Sequence, residues 1–182
     1  MRRTPYYIGL IVIVVAAGII ATRGSSIRGA SPATRVATAT LKDAQGRTVG
    51  TAQITEQGPM LGLRVQVTGL PAGQHGIHLH ATGVCAAPDF TSAGGHVNPA
   101  NREHGLANPS GPHAGDLPNL PVAANGAGQL VTLTDRVTFD QLFDDDGAAV
   151  VIHAKPDDQQ TSPAGNSGAR IACGVLSAAI PQ

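Results

Sequence analysis

The sequence predicts an all-β domain of about eight short antiparallel strands, packed as a sandwich or barrel with long loops. Three observations carry that prediction. Twenty-three glycines and thirteen prolines in 182 residues place turns at short intervals and leave little room for long helices. Aromatic residues are only 3% of the chain and tryptophan is absent, so a core must be built on Val, Ile, Leu and Ala. Several short stretches alternate apolar and polar side chains with the period of two that puts one face of a strand on a core.

Taken in order, Arg35–Asp43 (RVATATLKD) and Gly50–Glu56 (GTAQITE) show this alternation. Leu61–Leu70 shows it more clearly, with Leu61, Leu63, Val65 and Val67 on one face. Gly76–His80, Leu120–Ala123, Gly128–Thr134, Ala148–Ala154 and Arg170–Leu176 complete the set. Hairpin signals separate some of them, Ala-Gln-Gly-Arg at 44–47 and Asn-Gly at 125–126. Only Phe139–Asp146 suggests a helical turn, and there are no internal repeats.

The first 34 residues read separately, with the domain running from 35 to 182. Arg2 and Arg3 precede an uncharged run from Thr4 to Thr22, apolar from Ile8 to Ala21, and a Gly/Ala/Ser/Pro-rich linker follows. A basic start, an apolar middle and a small-residue exit describe an export signal. The run of residues 4–22 is also just long enough to span a bilayer as a membrane tether. Either reading puts the domain outside the cytoplasm, as a periplasmic, cell-envelope or secreted protein. Cys85 and Cys173, an even pair in such a chain, suit a disulfide, with two buried thiols as the alternative. The formal net charge is zero, so bulk electrostatics gives no reason to expect a nucleic-acid partner.

Residues 94–116 (GGHVNPANREHGLANPSGPHAGD) form a stretch with almost no bulky apolar side chains, yet it holds three of the seven histidines. Packing cannot order such a segment, and metal ligation can. His96, His104, His113 and Asp116 are three nitrogens and a carboxylate, a donor set that suits tetrahedral zinc. In GIHLH, Ile77 and Leu79 face the core, so His78 and His80 stand together on the opposite, outer face. His153 has the parity of Val151 and could join them from a neighbouring strand. His78, His80 and His153 are all-nitrogen donors that suit copper. His96 could serve both ions if both its ring nitrogens were bound.

This order of residues resembles the copper/zinc superoxide dismutases. It runs His78-x-His80, Cys85, Gly95-His96, His104, His113-x-x-Asp116, His153, then GNSGAR ending on Arg170 and Cys173-Gly174-Val175. The spacings of the zinc-type ligands and the stretch GNSGARIACGV look like that family, over roughly Val36 to Leu176, and GDLPNL is similar to its bacterial branch. The resemblance implies an eight-stranded Greek-key sandwich or barrel that turns superoxide into oxygen and hydrogen peroxide. It implies one copper per subunit on His78, His80, His96 and His153, and one zinc on His96, His104, His113 and Asp116. His96 would be the bridge and a proton carrier, Arg170 would guide the anion, and Asp157 would link a copper ligand to a zinc ligand. A homodimer or a monomer fits equally. A non-catalytic copper/zinc-binding or metal-transfer module of the same fold is the alternative.

Some features depart from the pattern. Ala81 stands where many relatives carry Glu. His75 shares the parity of Ile77 and Leu79, away from the metal face, and reads as structural. The loop 155–169 offers only Lys155 as an added positive charge, which argues against strong long-range steering of an anion. The acidic run at Asp140 and Asp144–Asp146 is no complete calcium loop and reads as a solvated turn.

Overall fold

A computed structural model describes residues 34–179. The export signal or tether expected at 4–22, and the boundary expected at 34, lie outside or at the edge of the described residues. Among the described residues, no helix is long and apolar enough to cross a membrane.

Ten strands form one antiparallel sheet: β1 (Val36–Asp43), β2 (Thr48–Gln57), β3 (Met60–Val67), β4 (Gly73–His75), β5 (Ile77–His80), β6 (Leu120–Val122), β7 (Gly128–Thr134), β8 (Ala149–His153), β9 (Arg170–Val175) and β10 (Ser177–Ala178). The order is β4-β6-β7-β3-β2-β1-β9-β8-β5, with β10 added to β1. The two ends of this order, β4 and β5, are separated in the chain only by Gly76, so the sheet curls into a nearly closed barrel. The expected count of eight is exceeded by β4 and β10. These strands have three and two residues, too few for an alternation to register. Among the described residues the one α-helix, α1 (Phe139–Leu142), is a single turn with a Thr138/Gln141 capping box.

The alternation does what it predicts. Ala37, Ala39 and Leu41 of β1, Ala52 and Ile54 of β2, and Leu61, Leu63, Val65 and Val67 of β3 all point into one core, joined by Ile77, Leu79, Val150 and Ile152. The turns form where expected, with Gly46 and Gly126 at positive φ (77° and 80°). The acidic run forms a local turn, Asp144 Oδ1 accepting from Asp146 N–H and Gly147 N–H, while Asp140 pairs with Arg35.

One expectation needs correcting. His78 and His80 do project from the outer side of the barrel, but they are fully buried. The outer faces of β8 and β9 carry a second small core of Phe90, Ala93, Ala149, Val151 and Cys173, with Cys85 packed against it. Loop 81–95 thus lies over the barrel wall. The loop 94–116 also contributes more packing than its composition suggests, since Val97 and Ala114 join the main core.

Candidate metal centre

Backbone pairing along the edge strand β5 assembles the site. His80 bridges His96 and His78 bridges Asp116 in antiparallel fashion, so each of these loop residues is set beside a strand histidine. Leu79 N–H donates to Gly115 O (2.9 Å), and Leu79 O accepts from Val97 N–H (2.9 Å). The loop therefore also satisfies the polar edge that β5 would otherwise expose. A side chain at residue 115 is excluded, because a Cβ there would lie 2.3 Å from Leu79 O. From the other side of β5, strand β8 pairs His78 with Val151, and His153 closes that strand opposite Arg170.

Four histidines converge. One ring nitrogen from each of His78, His80, His96 and His153 lies within 4.8 Å of the others. The far nitrogens are anchored: His78 Nε2 to Asp157 Oδ2 (2.6 Å), His80 Nδ1 to Gly94 O (2.9 Å), His153 Nδ1 to Gly168 O (3.2 Å) and His96 Nδ1 to Asp116 Oδ1 (2.8 Å). The near nitrogens, His78 Nδ1, His80 Nε2, His96 Nε2 and His153 Nε2, are buried without a hydrogen-bond partner. Four buried, unpaired nitrogens aimed at one another are costly in a protein interior. A soft or borderline cation such as copper matches this all-imidazole donor set.

A second convergence centres on Asp116 Oδ1. It lies 2.8 Å from His96 Nδ1, 3.0 Å from His104 Nδ1 and 3.3 Å from His113 Nδ1, and His113 Nδ1 is 3.2 Å from His96 Nδ1. A tetrahedron with zinc–ligand bonds of about 2.0–2.1 Å has edges of about 3.3 Å, and these four distances of 2.8–3.3 Å are of that order. His78, His96, His104 and Asp116 also offer ligand atoms that all lie within 4.8 Å of one another, and the His78 ring stacks on His96 with centroids 3.9 Å apart. His78 Nε2 is engaged by Asp157 and its Nδ1 is among the unpartnered nitrogens of the first cluster, whereas His113 Nδ1 is directed at Asp116 and His96.

The two clusters differ electrostatically. Burial pushes His78 down to about 3, His80 to about 2 and His153 to about 4, so these rings are neutral at physiological pH. Burial lowers His96 as well, against the pull of Asp116. His104 goes the other way. Burial opposes its charge, yet hydrogen bonds to Asp116 and Asp157 outweigh it and raise the ring to about 9. Burial would raise both carboxylates, but these same bonds hold Asp116 and Asp157 well below the usual range.

Asp157 joins the clusters directly. Its Oδ2 meets His78 Nε2 and its Oδ1 meets His104 Nε2 (3.0 Å). A side chain at residue 165 would displace it, since a Cβ there would sit 1.7 Å from Asp157 Oδ1, and Gly165 has φ +62°. Arg170 donates from Nη1 to Phe90 O and from Nη2 to Gly94 O, each 2.7 Å. It lines a cleft of about 330 Å³ together with His80, His96, His113, His153, Asn98, Pro163 and Ala164. Cys85 and Cys173 form a disulfide with Cα atoms 5.7 Å apart. His75 stands apart, its ring nitrogens 2.7 Å from His153 O and 2.8 Å from Pro71 O, in keeping with a structural histidine. Lys155 is exposed.

Three contributors were not legible beforehand. Asn119 binds the backbone of Asp157, Gln159 N–H donates to Asp157 Oδ1 (2.6 Å), and Arg136 Nη2 donates to Asp116 O (2.8 Å). Asn119 and Arg136 act on backbone groups 38 and 20 residues away, which no local spacing reveals, whereas the Gln159 bond is a local turn within the 155–169 loop.

Comparison with known proteins follows the same line. The family model for copper/zinc superoxide dismutase (SODC) matches residues 48–176. A Superoxide dismutase [Cu-Zn] of Caulobacter vibrioides is 43% identical over 147 residues, covering 77% of this chain and 84% of the relative. Superoxide dismutase [Cu-Zn] 2 of Aquifex aeolicus is 41% identical over 144 residues, covering 76% and 84%. The crystal structure of a SOD-like protein from Bacillus subtilis superposes with a TM-score of 0.71 at 40% identity, covering 77% of this chain and 97% of that one. The chain belongs to the copper/zinc superoxide dismutase family.

Proposed function

We propose that the protein dismutes superoxide, with copper held by His78, His80, His96 and His153 and zinc by His96, His104, His113 and Asp116, one of each per chain. The observation that carries this reading is the set of four buried, unpartnered imidazole nitrogens facing one another, three of their rings, His80, His96 and His153, lining the Arg170 cleft. Copper bound there supplies a one-electron couple, by which one superoxide is oxidised to dioxygen and a second, taking two protons, is reduced to hydrogen peroxide.

The chain's own residues do the rest. Superoxide carries one negative charge and little shape, so recognition rests on charge. Arg170 remains a cation near neutral pH although burial lowers its pKa. At about 5 Å and an effective dielectric of about 20, its attraction for the anion is about 3 kcal/mol before desolvation. Its two bonds to loop carbonyls fix the guanidinium at the cleft wall, so the anion is held in one place and orientation. His96 lines the same cleft, with Nδ1 on the Asp116 cluster and a buried, unpartnered Nε2, so it is the group placed to hold a proton at Nε2 and pass it to the bound anion. His104, His113 and Asp116 fix the His96 ring from behind.

We further propose that the domain works outside the cytoplasmic membrane, exported through the basic-then-apolar segment at residues 2–22 and either released or tethered there. A disulfide between Cys85 and Cys173 suits that compartment. Metal analysis of purified protein tests the ligand reading: it should take up one copper and one zinc per chain, and failure to take up copper would end it. An alkaline-phosphatase-type fusion after Gln182 tests the address, with an external signal expected and a cytoplasmic one contradicting it.

A further inference from the structure

We infer that Asn119 is a positioning residue that sets both metal clusters through Asp157. Its side-chain amide grips the Asp157 peptide at two points. Nδ2 donates to Asp157 O (2.9 Å) and Oδ1 accepts from Asp157 N–H (2.8 Å). An amide pairing both polar atoms of one residue's backbone fixes its position and its rotation together. The residue so held is the carboxylate that touches His78 with one oxygen and His104 with the other.

The grip also fixes the distance between two loops that depend on each other. Asn119 follows Asp116 by three residues and immediately precedes β6, so it is anchored on the segment that carries the zinc-type carboxylate. Asp157 lies on the loop after β8. Gln159 gives a second tie between the same segments, its Nε2 donating to Leu117 O (3.2 Å). Without Asn119, Asp157 could still meet one imidazole, but the geometry that lets it meet both would be lost. Carboxylates behind metal-bound histidines orient the rings, and disturbing them costs metal affinity by about 10- to 100-fold.

This inference rests on the zinc assignment above, and the experiment separates the two. Zinc affinity is measured by competition with a chelator, and the visible spectrum of Co(II) at the zinc-type group is recorded, for wild type, Asn119→Ala, Asp157→Asn and the double variant. Asn119→Ala should weaken zinc about tenfold and alter the Co(II) bands. In the Asp157→Asn background the same change should cost less than about twofold, because its route of action is already removed. A variant that loses thermal stability but keeps zinc affinity and the Co(II) spectrum would overturn the inference, as would a full tenfold penalty in the Asp157→Asn background. Should the alanine variant not fold, Asn119→Asp carries the same readings, since it keeps the acceptor and loses the donor. A wild type that binds no zinc would overturn both this inference and the zinc assignment, whereas zinc-binding wild type with an indifferent Asn119→Ala would overturn this one alone.

Discussion

Arg170 and His80 share one acceptor, the carbonyl of Gly94, which takes Arg170 Nη2 at 2.7 Å and His80 Nδ1 at 2.9 Å. The proposed anion-binding group and a copper-type ligand are thus measured from the same atom. That atom sits on the loop covering the outer wall of the barrel, the loop that Cys85 ties to β9. The Arg170 guanidinium, the His80 ring and the disulfide are thus tied to one loop.

The first consequence concerns charge. Arg170→Glu should lower superoxide turnover by about one to two orders of magnitude with copper and zinc content unchanged, the size expected from losing an attraction of about 3 kcal/mol after desolvation is counted. Arg170→Lys should keep an intermediate rate, since the charge remains and the fork that binds both Phe90 O and Gly94 O is lost. Added salt should slow wild type only mildly, because Lys155 is the only Lys or Arg in the loop 155–169. A fully metallated Arg170→Glu enzyme with wild-type turnover would remove Arg170 from the mechanism.

The disulfide makes a second prediction. Cys173→Ser should cost about 2–5 kcal/mol of stability by chemical denaturation. It should also lower turnover at full metal loading, because the loop that supplies Phe90 O and Gly94 O is no longer tied to β9. A variant that is less stable yet fully active would show that packing of Phe90 and Ala93 suffices to hold that loop.

Acidification should separate the two metals. His78, His80 and His153 have pKa values lowered to about 3, 2 and 4, so protons compete with copper at those ligands only in strong acid. His104 is raised to about 9 and is protonated at neutral pH in the metal-free protein, so a proton must leave when zinc binds. Zinc affinity should therefore rise as pH increases toward about 9 and fall as pH drops, and zinc should dissociate before copper on acid titration. Calorimetry in buffers of different ionisation enthalpy should show net proton release on zinc binding. Zinc binding without proton release would contradict the ion-paired state of His104.

His96 and His104 predict unequal damage. His96→Ala should weaken copper and zinc together, since its ring belongs to both convergences. His104→Ala should weaken mainly zinc, with copper disturbed only through Asp157. Metal titrations of the two variants compare these outcomes, and equal, purely local losses would refute a shared ring.

Much of this was legible in residue order, and the limits have physical causes. The alternation at β1 and β3 gave both the strands and the inward face, because a half-buried strand must alternate. It also gave the shared side of His78, His80 and His153. It did not give their burial, because that depends on Phe90 and Ala93 packing over the outer wall from a loop whose course no periodicity encodes. Strands β4 and β10 are too short to carry a pattern, and their pairing is decided by neighbours across the sheet. Asp157 could be placed by its family resemblance, whereas Asn119 could not be placed at all, since its partner lies 38 residues away and is a backbone peptide.

The central claim is that the four-histidine cluster turns over superoxide rather than merely holding a metal. Stopped-flow decay of superoxide, followed with the purified protein loaded with copper and zinc and again with zinc alone, tests it most directly. The account predicts rapid catalytic decay in the first case, loss of most of it in Arg170→Glu, and none above the uncatalysed rate with zinc alone. Copper bound one per chain on the four histidines, verified by its electron paramagnetic resonance spectrum, with no acceleration of superoxide decay would contradict the account and leave a metal-binding module in its place.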